Sequence, residues 1–157
     1  MRRCFKWLRL YIDGYKRPET CENSILSTTT YAMPNELVSA TSQYLLDHAN
    51  DLVEWQEWGE AALEVARSAN KPILLTIGYR GCRGCEAMAR ESFCNPSVAA
   101  VMNEHFINIK VDRDERPDLD KVYQSALQLI VPKSGGWPLT VFLEPDSQLP
   151  FFGGSYF

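Results

Sequence analysis

Two thiols set three residues apart, Cys82 and Cys85 in Gly81-Cys82-Arg83-Gly84-Cys85-Glu86, are the residues best placed to do chemistry in this 157-residue chain. On a helix, such positions lie about 60° apart on one face, so the sulfurs can meet. If Cys82 starts the helix, the free N–H groups and the dipole there stabilise a thiolate. Arg80 and Arg83 add positive charge, which Glu86 partly opposes. The chemistry this serves is thiol–disulfide exchange. Cys82 is expected to be the outer, attacking thiol, and Cys85, one turn in, the less exposed resolving thiol.

The pair needs elements to hold it. Ahead of it runs Pro72-Ile73-Leu74-Leu75-Thr76-Ile77-Gly78, the apolar pattern of a strand covered on both faces. Upstream, Trp58, Ala62, Val65, Ala66 and Ala69 recur as one helix face, and Asn70-Lys71-Pro72 stops that helix. Asn95-Pro96 starts another helix, with Asn95 as cap and Val98, Val101 and Met102 as its buried stripe. Residues 106–111 alternate as a strand. A charged turn then leads into a helix whose expected core face is Leu119, Val122, Tyr123, Ala126, Leu129 and Ile130. Leu139 to Leu143 and Phe151 to Phe157 read as two closing strands, antiparallel across a short turn. Alternating strands and helices give an α/β fold with a central mixed sheet flanked by helices.

In that setting a Cys-x-x-Cys between strand and helix reads as a thioredoxin-like motif. Thioredoxin-like sites place a cis-proline opposite the pair. Gly135-Gly136-Trp137-Pro138, directly before a strand, is the candidate. A cis bond there turns backbone N–H and C=O groups toward an extended substrate. Trp137, Pro138, Tyr79 and Arg83 are the expected substrate-groove residues. Thioredoxins carry a buried acid at about the position six residues before the first cysteine. Here that residue is Thr76, which cannot act as a base.

Two rival readings of the thiols exist. Zinc wants four ligands. Cys94, nine residues past Cys85, would point away on a continuous helix, and His48 and His105 are remote in sequence. The expectation is therefore no metal and no cofactor. The other rival is a pair of thiols that simply pack. The aromatics Trp55, Trp58, Trp137, Phe151, Phe152, Tyr156 and Phe157 read as core and rim. The acids Asp112, Asp114, Glu115, Asp118 and Asp120 lack calcium-loop spacing and read as a solvated cap.

Composition narrows the class. The length suits one domain with a real core, and a net charge of −4 argues against nucleic acid as the main partner. Five cysteines (Cys4, Cys21, Cys82, Cys85, Cys94), an odd count at irregular spacing, do not read as a secreted disulfide framework. No apolar run approaches the ~20 residues that span a bilayer, so no membrane role is expected. Arg2, Arg3, Lys6, Arg9, Lys16 and Arg17 crowd the N-terminus against one acid, Asp13. Residues 1–35 read as a leader and linker, residues 36–157 as the domain. The expected location is the cytoplasm, with a mitochondrial presequence as the alternative.

A broader set of residues carries a resemblance. Tyr44-Leu45-Leu46-x-His48-Ala49, Trp58-Gly59-Glu60-Ala61, Asn70-Lys71-Pro72-Ile73, Ile77-Gly78-Tyr79, Cys82-x-x-Cys85, Glu91-Ser92-Phe93, Val111-Asp112-Arg113-x-Glu115-Arg116-Pro117-Asp118, Gly135-Gly136-Trp137-Pro138-Leu139-Thr140-Val141-Phe142-Leu143 and Phe152-Gly153-Gly154-Ser155-Tyr156-Phe157 resemble the thioredoxin-like N-terminal domain of the spermatogenesis-associated protein 20 family. The resemblance covers roughly residues 36 to 157. It implies a thioredoxin-like fold. Where the family usually reads Cys-His-Trp-Cys-His, this chain has Arg83, Gly84 and Glu86 in place of the two His and the Trp, so no imidazole tunes the thiols or binds metal. Family members continue into a large helical toroid. Here the chain stops at Phe157, before the last helix usual in the fold. An uncovered sheet face that invites association is therefore expected.

The leading expectation is a thiol–disulfide oxidoreductase-type domain acting on protein thiols and disulfides through Cys82 and Cys85. The alternative is a non-enzymatic thioredoxin-like module for partner binding or regulation.

Overall fold

The computed structural model describes residues 35–132 and 135–156. The expected leader up to residue 34, with Cys4 and Cys21, and Phe157 lie outside the described residues. After a short 3-10 turn at Glu36–Ser39, the elements are α1 (Gln43–Leu46), β1 (Trp55–Glu57), α2 (Glu60–Ala69), β2 (Ile73–Gly78), α3 (Arg83–Met88), α4 (Pro96–His105), β3 (Ile107–Asp112), α5 (Pro117–Ile130), β4 (Leu139–Leu143) and β5 (Pro150–Ser155). The order from α2 onward is the one read from sequence.

The five strands form one mixed sheet in the order β1-β3-β2-β4-β5. β3 runs parallel to both β1 and β2. β4 is antiparallel to β2 and to β5. β2 is the middle strand, and all six of its residues are buried, as its unbroken apolar run implies. The strand β1 is missing from the sequence reading. Three residues are too few to show a period of two, and pairing with Asn108–Lys110 defines the strand instead.

Local chemistry explains the helix limits. Asn95 Oδ1 accepts from Ser97 N–H at 3.0 Å, with Pro96 at the first helical position. Asn70 ends α2 in the left-handed region at φ 49°. Pro117 opens α5, with Asp118 and Asp120 in its first turn.

The buried stripes are narrower than expected. On α2 the buried residues are Ala62, Leu63 and Ala66, while Val65 and Ala69 are exposed. On α4 Val101 is exposed, and Ala99 joins Val98 and Met102. On α5 the stripe is Leu119, Tyr123 and Leu127, whereas Val122 and Leu129 face outward. Each helix carries more apolar residues than one sheet face can cover. Which row packs is decided by the helix's rotation on the sheet, not by its periodicity.

Each face of the sheet carries its own core. One is aliphatic: Ile73, Leu75, Ile77, Ile109, Val111, Leu139, Val141 and Leu143 pack under α2 and α5. The other gathers Tyr44, Trp55, Phe93, Met88 and both site cysteines under α1, α3 and α4. Beyond β5 only Tyr156 is described. At that end of the sheet, Phe142 is half-buried against Phe106, Phe151 and Phe152, and Phe151 is exposed. No helix among the described residues is long and apolar enough to cross a membrane.

Candidate active site

The middle strand delivers the site. After β2, Tyr79 to Gly81 turn the chain, and Cys82 becomes the N-cap of α3. Its Sγ accepts from Cys85 N–H at 3.2 Å, one of the otherwise unpaired donors at a helix start. The two cysteines form a disulfide, with their Cα atoms 5.2 Å apart. Both are 4% exposed. This corrects the expected division into an outer Cys82 and a less exposed Cys85: the strand-to-helix turn folds both beneath its surroundings.

Gly84 fits the opposing loop. A Cβ there would lie 2.9 Å from the Trp137 carbonyl oxygen and 3.0 Å from Pro138 Cδ. The backbone at Trp137–Pro138 therefore lies directly against the segment between the cysteines. That peptide bond is cis. The loop is held by three hydrogen bonds, two to α5 and one to β5. Trp137 Nε1–H donates to Asp120 Oδ1 at 2.9 Å, Gln124 Nε2–H to the Gly136 carbonyl at 3.2 Å, and Ser155 Oγ–H to the Gly135 carbonyl at 2.9 Å.

Tyr79 and Trp137 meet edge to face at 5.8 Å. Between them lies a residue the sequence reading passed over. The Arg113 guanidinium stacks 4.1 Å from the Trp137 ring centre and 4.7 Å from that of Tyr79. The Arg113 N–H donates to the Gly78 carbonyl at 2.9 Å, so the end of β3 is pinned to the end of β2 beside the thiols. The signal was present in the Val111-Asp112-Arg113 motif, but nothing in sequence showed that β3 ends next to β2. Arg83, named as a groove residue, is exposed and makes no ion pair among the described residues. Arg80 pairs with Asp47 at 3.4 Å and is not directed to the sulfurs by any contact. A shallow groove between α5 and the 135–137 loop is lined by Asp120, Gln124 and Trp137 among others, and neither cysteine lines it.

Two further expectations change. A π turn, Ala89–Phe93, interrupts the helix after Met88, so Cys94 does not sit on a continuous helix with Cys85. Asp112 is buried rather than part of a solvated cap: Ser42 Oγ–H donates to it at 2.6 Å and Asp114 N–H at 2.9 Å. His48 is buried against Asp51 at 2.7 Å, and Asp51 also accepts from Trp55 Nε1–H at 2.9 Å. Burial, with Lys110 nearby, holds His48 below its ordinary range. Among the described residues no group of three or more His, Cys, Asp or Glu is placed to hold a metal.

Beneath the disulfide is a buried polar layer. Thr76 pairs in register with Lys110 on one side and Thr140 on the other. Lys110 is 1% exposed. Its Nζ has no hydrogen-bond partner among the described residues and lies 4.5 Å from the ring centres of Trp55 and Phe93. Burial pushes its pKa down to about 7, with Asp51 acting against the shift.

Residues 34–157 match the family Thioredox_DsbH, described as a protein of unknown function, DUF255. The chain belongs to that family. Human spermatogenesis-associated protein 20 is 47% identical over 131 residues, which is 83% of this chain and 16% of the human protein. An uncharacterized Caenorhabditis elegans protein is 47% identical over 135 residues, 85% of this chain and 18% of that one. The chain thus spans less than a fifth of the length of these relatives. A solved DsbH oxidoreductase superposes with a TM-score of 0.54 at 18% identity, covering 84% of this chain and 81% of that one. A Thermus thermophilus thioredoxin gives 0.51 at 22% identity over 64% and 73%. The fold of this Thioredox_DsbH domain is thioredoxin-like.

Proposed function

We propose that this domain exchanges electrons with protein disulfides through Cys82 and Cys85. The observation that carries the reading is the Cys82–Cys85 disulfide at a helix start, faced by the Trp137–Pro138 backbone. In the reduced form, the Cys82 thiolate attacks one substrate sulfur. A mixed disulfide forms and the other substrate sulfur leaves as a thiolate. The Cys85 thiolate then attacks Cys82 Sγ, which frees the second substrate thiol. The substrate gains two electrons and two protons, and the domain keeps the disulfide. A dithiol reductant returns it to the start. Trp137, Pro138, Tyr79 and Arg113 form the groove wall on which an extended substrate would lie.

A second reading, a non-enzymatic binding module, is favoured by one fact: both cysteines are 4% exposed, so a substrate must displace part of the cover to reach their sulfurs. Insulin reduction with wild type, Cys82→Ser and Cys85→Ser separates the two. Activity lost in both variants, with a mixed disulfide trapped on Cys82 in Cys85→Ser, supports exchange. Equal inertness of all three proteins sinks it.

A further inference from the structure

The buried layer under the disulfide contains a group the exchange reading does not use. Gly78 ends β2 directly beneath the site, and a Cβ built on it would lie 2.7 Å from Cys85 Sγ and in direct contact with the Tyr44 hydroxyl. Tyr44 Oη and Cys85 Sγ therefore converge on the same glycine. Tyr44 is 4% exposed, and its hydroxyl has no hydrogen-bond partner among the described residues. A buried hydroxyl left unpaired is destabilising, so its position calls for a partner that this oxidised form does not provide. A disulfide sulfur is a weak acceptor, whereas a thiolate is a strong one.

We propose that the Tyr44 hydroxyl, buried without a partner against Cys85, becomes the hydrogen-bond donor to the Cys85 thiolate once the disulfide opens. The proposal rests on the exchange reading for its purpose. Cys85 must ionise in a buried place to resolve the mixed disulfide, and burial disfavours the charged form. Thr76, on the adjacent strand position, offers neither a base nor a free charge. Tyr44 can serve as a donor throughout the neutral range because burial, with Asp112 and Asp51 nearby, raises its own pKa far above that range. It is a donor of a proton's hydrogen bond and not a base. Lys110 lies behind it, with Nζ 5.4 Å from the Tyr44 ring centre.

The charged and titratable groups around this layer are few. α1 contributes Tyr44, and the segment after it contributes His48 and Asp51. β3 contributes Lys110 and Asp112. Asp51 is tied to His48 and Trp55, and Asp112 to Ser42 and the Asp114 N–H. Among the described residues no carboxylate lies within hydrogen-bond distance of the Tyr44 hydroxyl.

The test is the pH profile of Cys85 alkylation by iodoacetamide in the full chain carrying Cys82→Ser, with each cysteine followed separately by peptide mass spectrometry. Adding Tyr44→Phe is expected to move the midpoint of that profile upward by about one pH unit, roughly a tenfold loss of thiolate at a fixed pH below it. Tyr123→Phe, which removes a hydroxyl on the opposite face of the sheet, leaves the midpoint in place. An unmoved midpoint in a folded Tyr44→Phe protein overturns the proposal. Proton NMR of the tyrosine hydroxyls in wild type covers the case in which that variant does not fold. The Tyr44 hydroxyl signal is expected to shift downfield on reduction, and a signal unchanged by reduction overturns the proposal. Neither measurement uses a disulfide substrate, so failure of the exchange reading in the insulin assay is a separate result.

Discussion

The two faces of the sheet are built on opposite principles. Under α2 and α5 every strand residue turned inward from β2, β3 and β4 is aliphatic, from Ile73 to Leu143. Under α1, α3 and α4, the same three strands turn in Thr76, Asn108, Lys110 and Thr140, and α1 adds Tyr44. The five buried side-chain atoms without a hydrogen-bond partner among the described residues all belong to these residues. One face gains its stability from apolar burial, worth about 25 cal/mol per Å². The other gives some of that up, since buried polar groups without partners cost free energy. Polar residues that weaken a core are expected where chemistry needs them, and the disulfide lies over this face alone.

The largest expected effect lies at the thiols themselves: either serine substitution removes exchange activity, as above. For stability, Leu127→Ala should cost about 2–5 kcal/mol, because Leu127 is fully buried in the aliphatic core; urea unfolding measures it. A cost well under that range would mean the aliphatic face is not the stabilising one. Lys110→Met should act in the opposite direction. The lysine titrates at about 7 in the folded state, against an ordinary 10.5. Between those values the unfolded chain holds the extra proton, so the lysine's contribution to stability rises with pH across that window and is least favourable below about 7. Met removes that slope and should leave the protein as stable, or more stable by about 1–4 kcal/mol, below neutral pH. A variant that unfolds more easily below neutral pH would show that the stacked rings outweigh the desolvation.

The smallest effects make the sharpest contrast. Val141→Thr puts a hydroxyl into the aliphatic face and should cost about 1–3 kcal/mol. Thr76→Val removes an unpartnered hydroxyl from the other face and should cost nothing or stabilise by up to about 1 kcal/mol. Equal costs for the two would erase the distinction between the faces. Thermal unfolding of both variants decides it.

Much of the candidate site was legible in sequence because its signals are local. Cys82 and Cys85 are neighbours on one turn. Asn95-Pro96 and Pro117-Asp118 mark helix starts by their own backbone chemistry. Gly135-Gly136-Trp137-Pro138 directly precedes a strand, which placed the loop opposite the thiols once a thioredoxin-like order was assumed. Arg113 and Tyr44 were not legible as site residues. Each reaches the site through tertiary packing: Arg113 because β3 lies beside β2, Tyr44 because its hydroxyl meets the end of β2 at Gly78. The choice of Leu127 over Leu129 on α5 was equally out of reach, since both suit an amphipathic helix and only the packed sheet selects between them.

The sequence by itself therefore determined the helices and strands from α2 onward, their order and the two thiols. These depend on spacing along the chain, where the interacting groups are a few residues apart. Only the tertiary structure decided what surrounds the thiols: the equal burial of Cys82 and Cys85, the Arg113 stack and the polar layer of Tyr44, Thr76 and Lys110. Those contacts join residues tens of positions apart, and their energies depend on the desolvation that packing creates. A lysine held near neutral pH and a hydroxyl left without a partner are properties of a place in the fold, and no residue type carries them alone.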